Sequence, residues 1–139
     1  MPSLQLFAST LYFVTYLMAF LSGVAYINSP RFLPFHTAVS GKTWDDLDPR
    51  MQTLLQLMIR VMGAGMLAVG VCGAALAVLS FGVDEEAIRY IVPLPGVIFG
   101  IPAFWATWSV KRATGVVTPY RGAAAVIIVP VAALILRLI

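Results

Sequence analysis

Four long apolar stretches, at positions 4–27, 61–81, 90–110 and 122–139, dominate the chain. Each is continuously apolar, and a helix needs about 20 such residues to cross a bilayer. Backbone N–H and C=O groups cannot be left unpaired in hydrocarbon, so runs of this kind must be helices. Barrel strands would alternate apolar and polar positions, and these runs do not. The pattern predicts an all-α fold, an integral membrane four-transmembrane-helix bundle. It forms a single domain over 1–139, with an interfacial loop at 28–48 between the first two spans.

The second helix starts before its membrane part. Asp48-Pro49 is a helix-start signal, with Asp as N-cap and Pro at the first helical position. From there to position 81 the helix has 33 residues, or about 50 Å at 1.5 Å each, which exceeds the hydrocarbon thickness of roughly 30 Å. Its first turns, carrying Arg50, Gln52 and Gln56, are therefore expected in headgroups or water. The first run is too long for the apolar core of a signal peptide and has no Lys or Arg before it, so it reads as a retained span.

The loop 28–48 mixes apolar groups (Phe32, Leu33, Phe35, Trp44, Leu47) with polar ones, and Pro30 and Pro34 interrupt regular helix. It reads as a segment lying in the membrane interface, where aromatic rings sit at headgroup level. Within it, Ser40-Gly41-Lys42-Thr43 resembles the end of a phosphate-binding loop. The earlier glycine of that motif is missing, because position 36 is His36. The sequence instead predicts a turn at Gly41, with Thr43 capping a short helix toward Asp46.

Composition agrees with the pattern. Of 139 residues, 60% are hydrophobic and 11% are charged, and the mean hydropathy is +0.93. A soluble domain this small has too high a surface-to-volume ratio to hide so much apolar surface. The net charge of +3 does not point to nucleic acid, because the basic residues stand at the ends of apolar runs and form no long cluster. With four spans, Arg31, Lys42, Arg50, Arg60, Lys111, Arg112 and Arg121 share one side, and Arg89 and Arg137 share the other. The excess of positive residues marks the cytoplasmic side of a cell membrane and puts both termini on the opposite side. The acidic tripeptide Asp84-Glu85-Glu86 falls with the termini.

Candidate chemistry is sparse. Cys72 is the single cysteine, so there is no internal disulfide and no cysteine metal cluster. No Asp or Glu occurs inside a span, which counts against proton-coupled transport through a membrane carboxylate. His36 with Asp45, Asp46 and Asp48 could bind a metal or move protons. The spacing matches no known site, however, and a solvated loop with local ion pairs is the plainer reading. No metal and no cofactor is expected.

Five residues are candidates for ligand binding: Arg60, Tyr12, Tyr16, Trp105 and His36. Arg60 begins the second apolar run, where it can snorkel to the interface or turn inward to an anion. Arg137 has the same ambiguity near the opposite face. Tyr12 and Tyr16 lead a stripe on the first helix with Ala19, Gly23 and Tyr26, beside Thr15 and Ser22. Such a stripe faces either a cavity or a neighbouring helix. Trp108 reads as an interface anchor, and Trp105, one turn deeper, could wall a pocket. Gly70/Ala74, Gly73/Ala77 and Gly96/Gly100 are small residues four apart, which let helices approach closely within a bundle or between subunits. Pro102 and Pro130 lie mid-span and predict kinks.

These features leave function open between classes. The leading expectation is a small protein that binds or transports a hydrophobic or amphipathic ligand, in contact with membrane lipids and as a homo-oligomer. The alternative is a non-catalytic accessory subunit of a larger membrane complex. An enzyme using the His36 loop comes third.

Overall fold

The computed structural model describes residues 2–82 and 86–139, so Asp84 and Glu85 of the acidic tripeptide lie outside the described residues. The elements are α1 (Pro2–Ile27), α2 (Pro34–Ser40), α3 (Pro49–Gly82), α4 (Glu86–Ile91), α5 (Leu94–Thr114) and α6 (Tyr120–Leu138), with a 3-10 turn at Trp44–Asp46. Four stretches are long and apolar enough to cross a membrane: Leu4–Ile27, Pro49–Phe81, Ala87–Thr114 and Tyr120–Leu138. The fold is the expected all-α four-helix membrane bundle. Both chain ends lie at one end of it, here called the terminal end. The α1–α3 and α5–α6 connections lie at the other, the connector end.

Around the bundle the order is α3, α1, α6, α5. The most extensive packing is α1 on α3, then α1 on α6 and α5 on α6, and α5 meets α3 only narrowly. In lipid there is no hydrophobic force between helices, so close packing must hold them. Glycine supplies it. A Cβ at Gly23 would lie 2.7 Å from the backbone nitrogen of Leu67, and one at Gly70 would lie 2.7 Å from Phe20. Gly96 and Gly100 of α5 press against Val126 and Ile127 of α6 in the same way. These small-residue faces are used inside the chain.

The start of α3 follows its local signal. The Asp48 carboxylate accepts hydrogen bonds from the backbone N–H of Arg50 and Met51, at 3.0 and 3.1 Å. Gly41 closes α2 with a left-handed φ of 65°, and Thr43 and Asp46 bond reciprocally across the 3-10 turn. The turn expected at Gly41, with Thr43 as the cap of a short helix, is what forms. Gln52 then ties the loop to α3 by donating to the carbonyls of Trp44 and Leu47.

α5 runs through Pro102 without interruption, and the third span carries a break at Val92–Pro93 that the hydropathy pattern did not mark. Pro93 and Pro95 stand two apart and each lacks the N–H that would continue the ladder, whereas Pro102 removes a single bond from the interior of a long helix.

Candidate functional site at the terminal end

The core at this end grows from small residues on three helices. Ala8, Tyr12, Tyr16 and Ala19 of α1, Val69 and Ala77 of α3, Val92, and Ala133 of α6 form one buried cluster. The aromatic stripe of α1 thus faces its neighbours. Tyr12 and Tyr16 are fully buried, one helical turn apart. The Tyr16 phenol donates a hydrogen bond to the carbonyl of Val92, at the break between α4 and α5. The Tyr12 hydroxyl is also buried, and among the described residues no partner meets it.

Above this cluster stand two polar groups. Ser80 lies three residues after Ala77, and Arg137 lies four after Ala133, so each continues its helix's inward face by one turn. The Arg137 guanidinium donates to the Ser80 hydroxyl at 2.7 Å and to the Ser80 carbonyl at 3.1 Å. Ser80 in turn donates to the carbonyl of Ala77. The guanidinium also lies over the Phe81 ring, 5.5 Å from its centre. No carboxylate among the described residues pairs with it.

Phe81 links this polar knot to an open groove. Its ring stacks parallel to Phe13, with centres 6.2 Å apart. Gln5, Leu6, Ser9, Thr10, Phe13, Val14 and Phe81 line a groove of about 480 Å³ along α1. A second, almost wholly apolar groove of about 400 Å³ follows the narrow α3–α5 seam, with Cys72, Phe99 and Pro102 among its walls.

The five candidates from sequence are not gathered into one place. Tyr12 and Tyr16 are neighbours in the core. Arg60 is exposed at the start of the α3 apolar run, toward the connector end, consistent with snorkelling. Trp105 is 71% exposed on the outer face of α5, where it walls no pocket with the tyrosines. Trp108, by contrast, is built into the connector end, against Phe104 and Tyr120 with the Lys111 ammonium above both Trp108 and Tyr120.

His36 belongs to the interfacial loop. It packs against Phe35 and Phe32, and its Nδ1 accepts the backbone N–H of Leu33 at 3.2 Å. Burial holds its pKa below the usual 6.5. The nearby acids are engaged separately, Asp45 with Arg31 at 3.5 Å and Asp46 with Thr43. The Thr43 hydroxyl and N–H hold the Asp46 carboxyl below its ordinary range. Among the described residues, no three His, Cys, Asp or Glu side chains come together in a way that could hold a metal ion.

Ser80, Phe81 and Phe13 were not singled out from sequence. The available signal was a polar residue in the last turn of two spans, Ser80 and Arg137, at the same membrane level. Compared with known proteins, the chain matches no family model, no curated sequence and no solved structure.

Proposed function

We propose that this protein binds an amphipathic small molecule from within the membrane, at the terminal end of the bundle. The observation that carries the reading is the groove along α1, whose Leu6, Phe13, Val14 and Phe81 walls suit an acyl chain and whose Gln5, Ser9 and Thr10 suit a polar head. Binding is favoured over translocation because Tyr12, Tyr16, Val92 and Pro130 are fully buried and fill the interior. The small-residue faces pack within one chain, so the reading does not depend on a second copy. The charge count supports an orientation in a cell membrane with both termini away from the cytoplasm, which sets the groove in the outer leaflet.

The test is retention of the neutral amphiphile monoolein by protein purified in mild detergent, read by native mass spectrometry. Wild type should retain it. Val14→Trp, at a half-exposed position on the groove wall, should lose it while keeping the wild-type melting temperature. Equal retention by both proteins, or retention by neither, overturns the reading.

A further inference from the structure

We propose that Lys111, Tyr120 and Arg121, at the connector end of the bundle, form a binding site for the phosphate of an anionic phospholipid. The site is separate from the groove and does not depend on it. The α5–α6 connection brings the three residues together: Lys111 stands in the last turn of α5, and Tyr120 and Arg121 open α6. The Lys111 ammonium donates to the Tyr120 hydroxyl at 3.1 Å, and the Arg121 Nε–H donates to the same oxygen at 3.2 Å. Two positive groups thus stand no farther apart than two hydrogen bonds laid end to end, and like charges this close repel. Among the described residues no carboxylate offsets them. Asp45 pairs with Arg31, Asp46 bonds to Thr43, and Asp48 caps α3. The acidic residues at 84–86 follow α3 at the opposite end of the bundle.

Donors remain at this point. An ammonium has three N–H groups and a guanidinium five, and each directs one to Tyr120. The proton of the Tyr120 hydroxyl needs a third group, since neither cation can accept it. Phosphate oxygens accept from all three, in charge-assisted hydrogen bonds. The rings disfavour a choline head. The Lys111 ammonium lies over Trp108 and Tyr120, 4.8 and 4.2 Å from their centres, and the Arg121 guanidinium lies 5.8 Å from that of Tyr120. Faces that would hold a quaternary ammonium are already taken by the protein's own cations. The surroundings favour a lipid over a free ion. The site lies where two spans end, and Val117 in the loop between them is 74% exposed. An apolar side chain so exposed beside two cations suits a membrane surface, where basic groups at helix ends hold anionic headgroups.

The experiment offers the purified protein an equimolar mixture of dioleoyl phosphatidylglycerol and dioleoyl phosphatidylcholine in mild detergent, read by native mass spectrometry. Wild type should retain phosphatidylglycerol roughly tenfold better, the size expected for charge-assisted contacts. Lys111→Gln should erase that preference. Tyr120→Phe keeps both charges and the ring faces but removes the shared oxygen, and it should weaken the preference several-fold. Arg121→Gln, at an exposed position, should do the same, and it decides the matter if Lys111→Gln fails to fold. Arg50→Gln removes an exposed charge from the same end and should leave the preference unchanged, as should Val14→Trp in the groove. Equal retention of the two lipids overturns the site, as does an undiminished preference in folded Lys111→Gln. Equal losses in Arg50→Gln and Lys111→Gln overturn it in favour of diffuse charge, and loss in Val14→Trp overturns it in favour of the groove. Thermal stabilisation by inorganic phosphate without any lipid preference overturns the lipid as occupant.

Discussion

The Tyr16 phenol on α1 supplies the hydrogen bond that the broken helix withholds from the Val92 carbonyl. In an unbroken helix the N–H of residue 96 would meet that carbonyl. Here α5 begins its own ladder at Val97, which bonds to Pro93, and leaves the Val92 oxygen to the side chain of another helix. In lipid no water is at hand to take its place. Gly73 makes the contact possible, because a Cβ there would lie only 2.2 Å from the Tyr16 ring. The break, the phenol and the glycine thus form one unit joining three helices.

Tyr16→Phe keeps the ring and removes the donor, which leaves a buried carbonyl unsatisfied. The expected cost is about 1–3 kcal/mol, seen as a lower melting temperature in detergent. An unchanged melting temperature would mean that the Val92 carbonyl has another donor available.

Gly73→Leu should abolish folded protein, since the larger side chain must displace the Tyr16 ring from its slot. Overpacking costs typically about 1–3 kcal/mol and occasionally more, and here a whole ring has to move. Gly122→Leu is the control, because a Cβ at Gly122 meets open space. The two variants should separate cleanly by size-exclusion recovery after mild heating. Similar recovery of both would contradict the tight α1–α3 contact.

The interfacial loop should loosen on acidification. The folded pKa of His36 lies below the usual 6.5, so between these two values the unfolded loop binds more protons than the folded one. The contribution of neutral His36 is complete above about pH 6.5 and is lost progressively as pH falls below it. Protonation also removes the acceptor at Nδ1 that holds the Leu33 N–H. Hydrogen exchange should therefore show falling protection in residues 34–40 on acidification, after correction for the intrinsic pH dependence of exchange. His36→Phe should show no such change in this pH range, and an identical response in that variant would rule His36 out as the sensor.

Orientation is open to direct labelling in a Cys72→Ala background. Ile139→Cys, at an 88% exposed position, should react with an impermeant thiol reagent added outside intact cells. Thr43→Cys, in the exposed loop, should react only after the membrane is opened. The reverse result would place the groove and Arg137 in the cytoplasmic leaflet.

What the sequence alone determined was local. Hydropathy over about 20 residues defines a span because the bilayer imposes one length and one backbone solution. The Asp48 cap and the Gly41 turn were legible because their partners lie within a few residues. The stripe of Tyr12 and Tyr16 marked a protein-facing side, since polar aromatics seldom face hydrocarbon. Tertiary structure alone decided which helices are neighbours and which polar groups meet. In a membrane helix the faces toward lipid and toward protein are both apolar, so periodicity does not separate the outward Trp105 from the buried Val92. Nor does any local rule pair Arg137 with Ser80, 57 positions away. Those outcomes depend on where glycine lets two backbones touch, and that contact exists only once the helices have assembled.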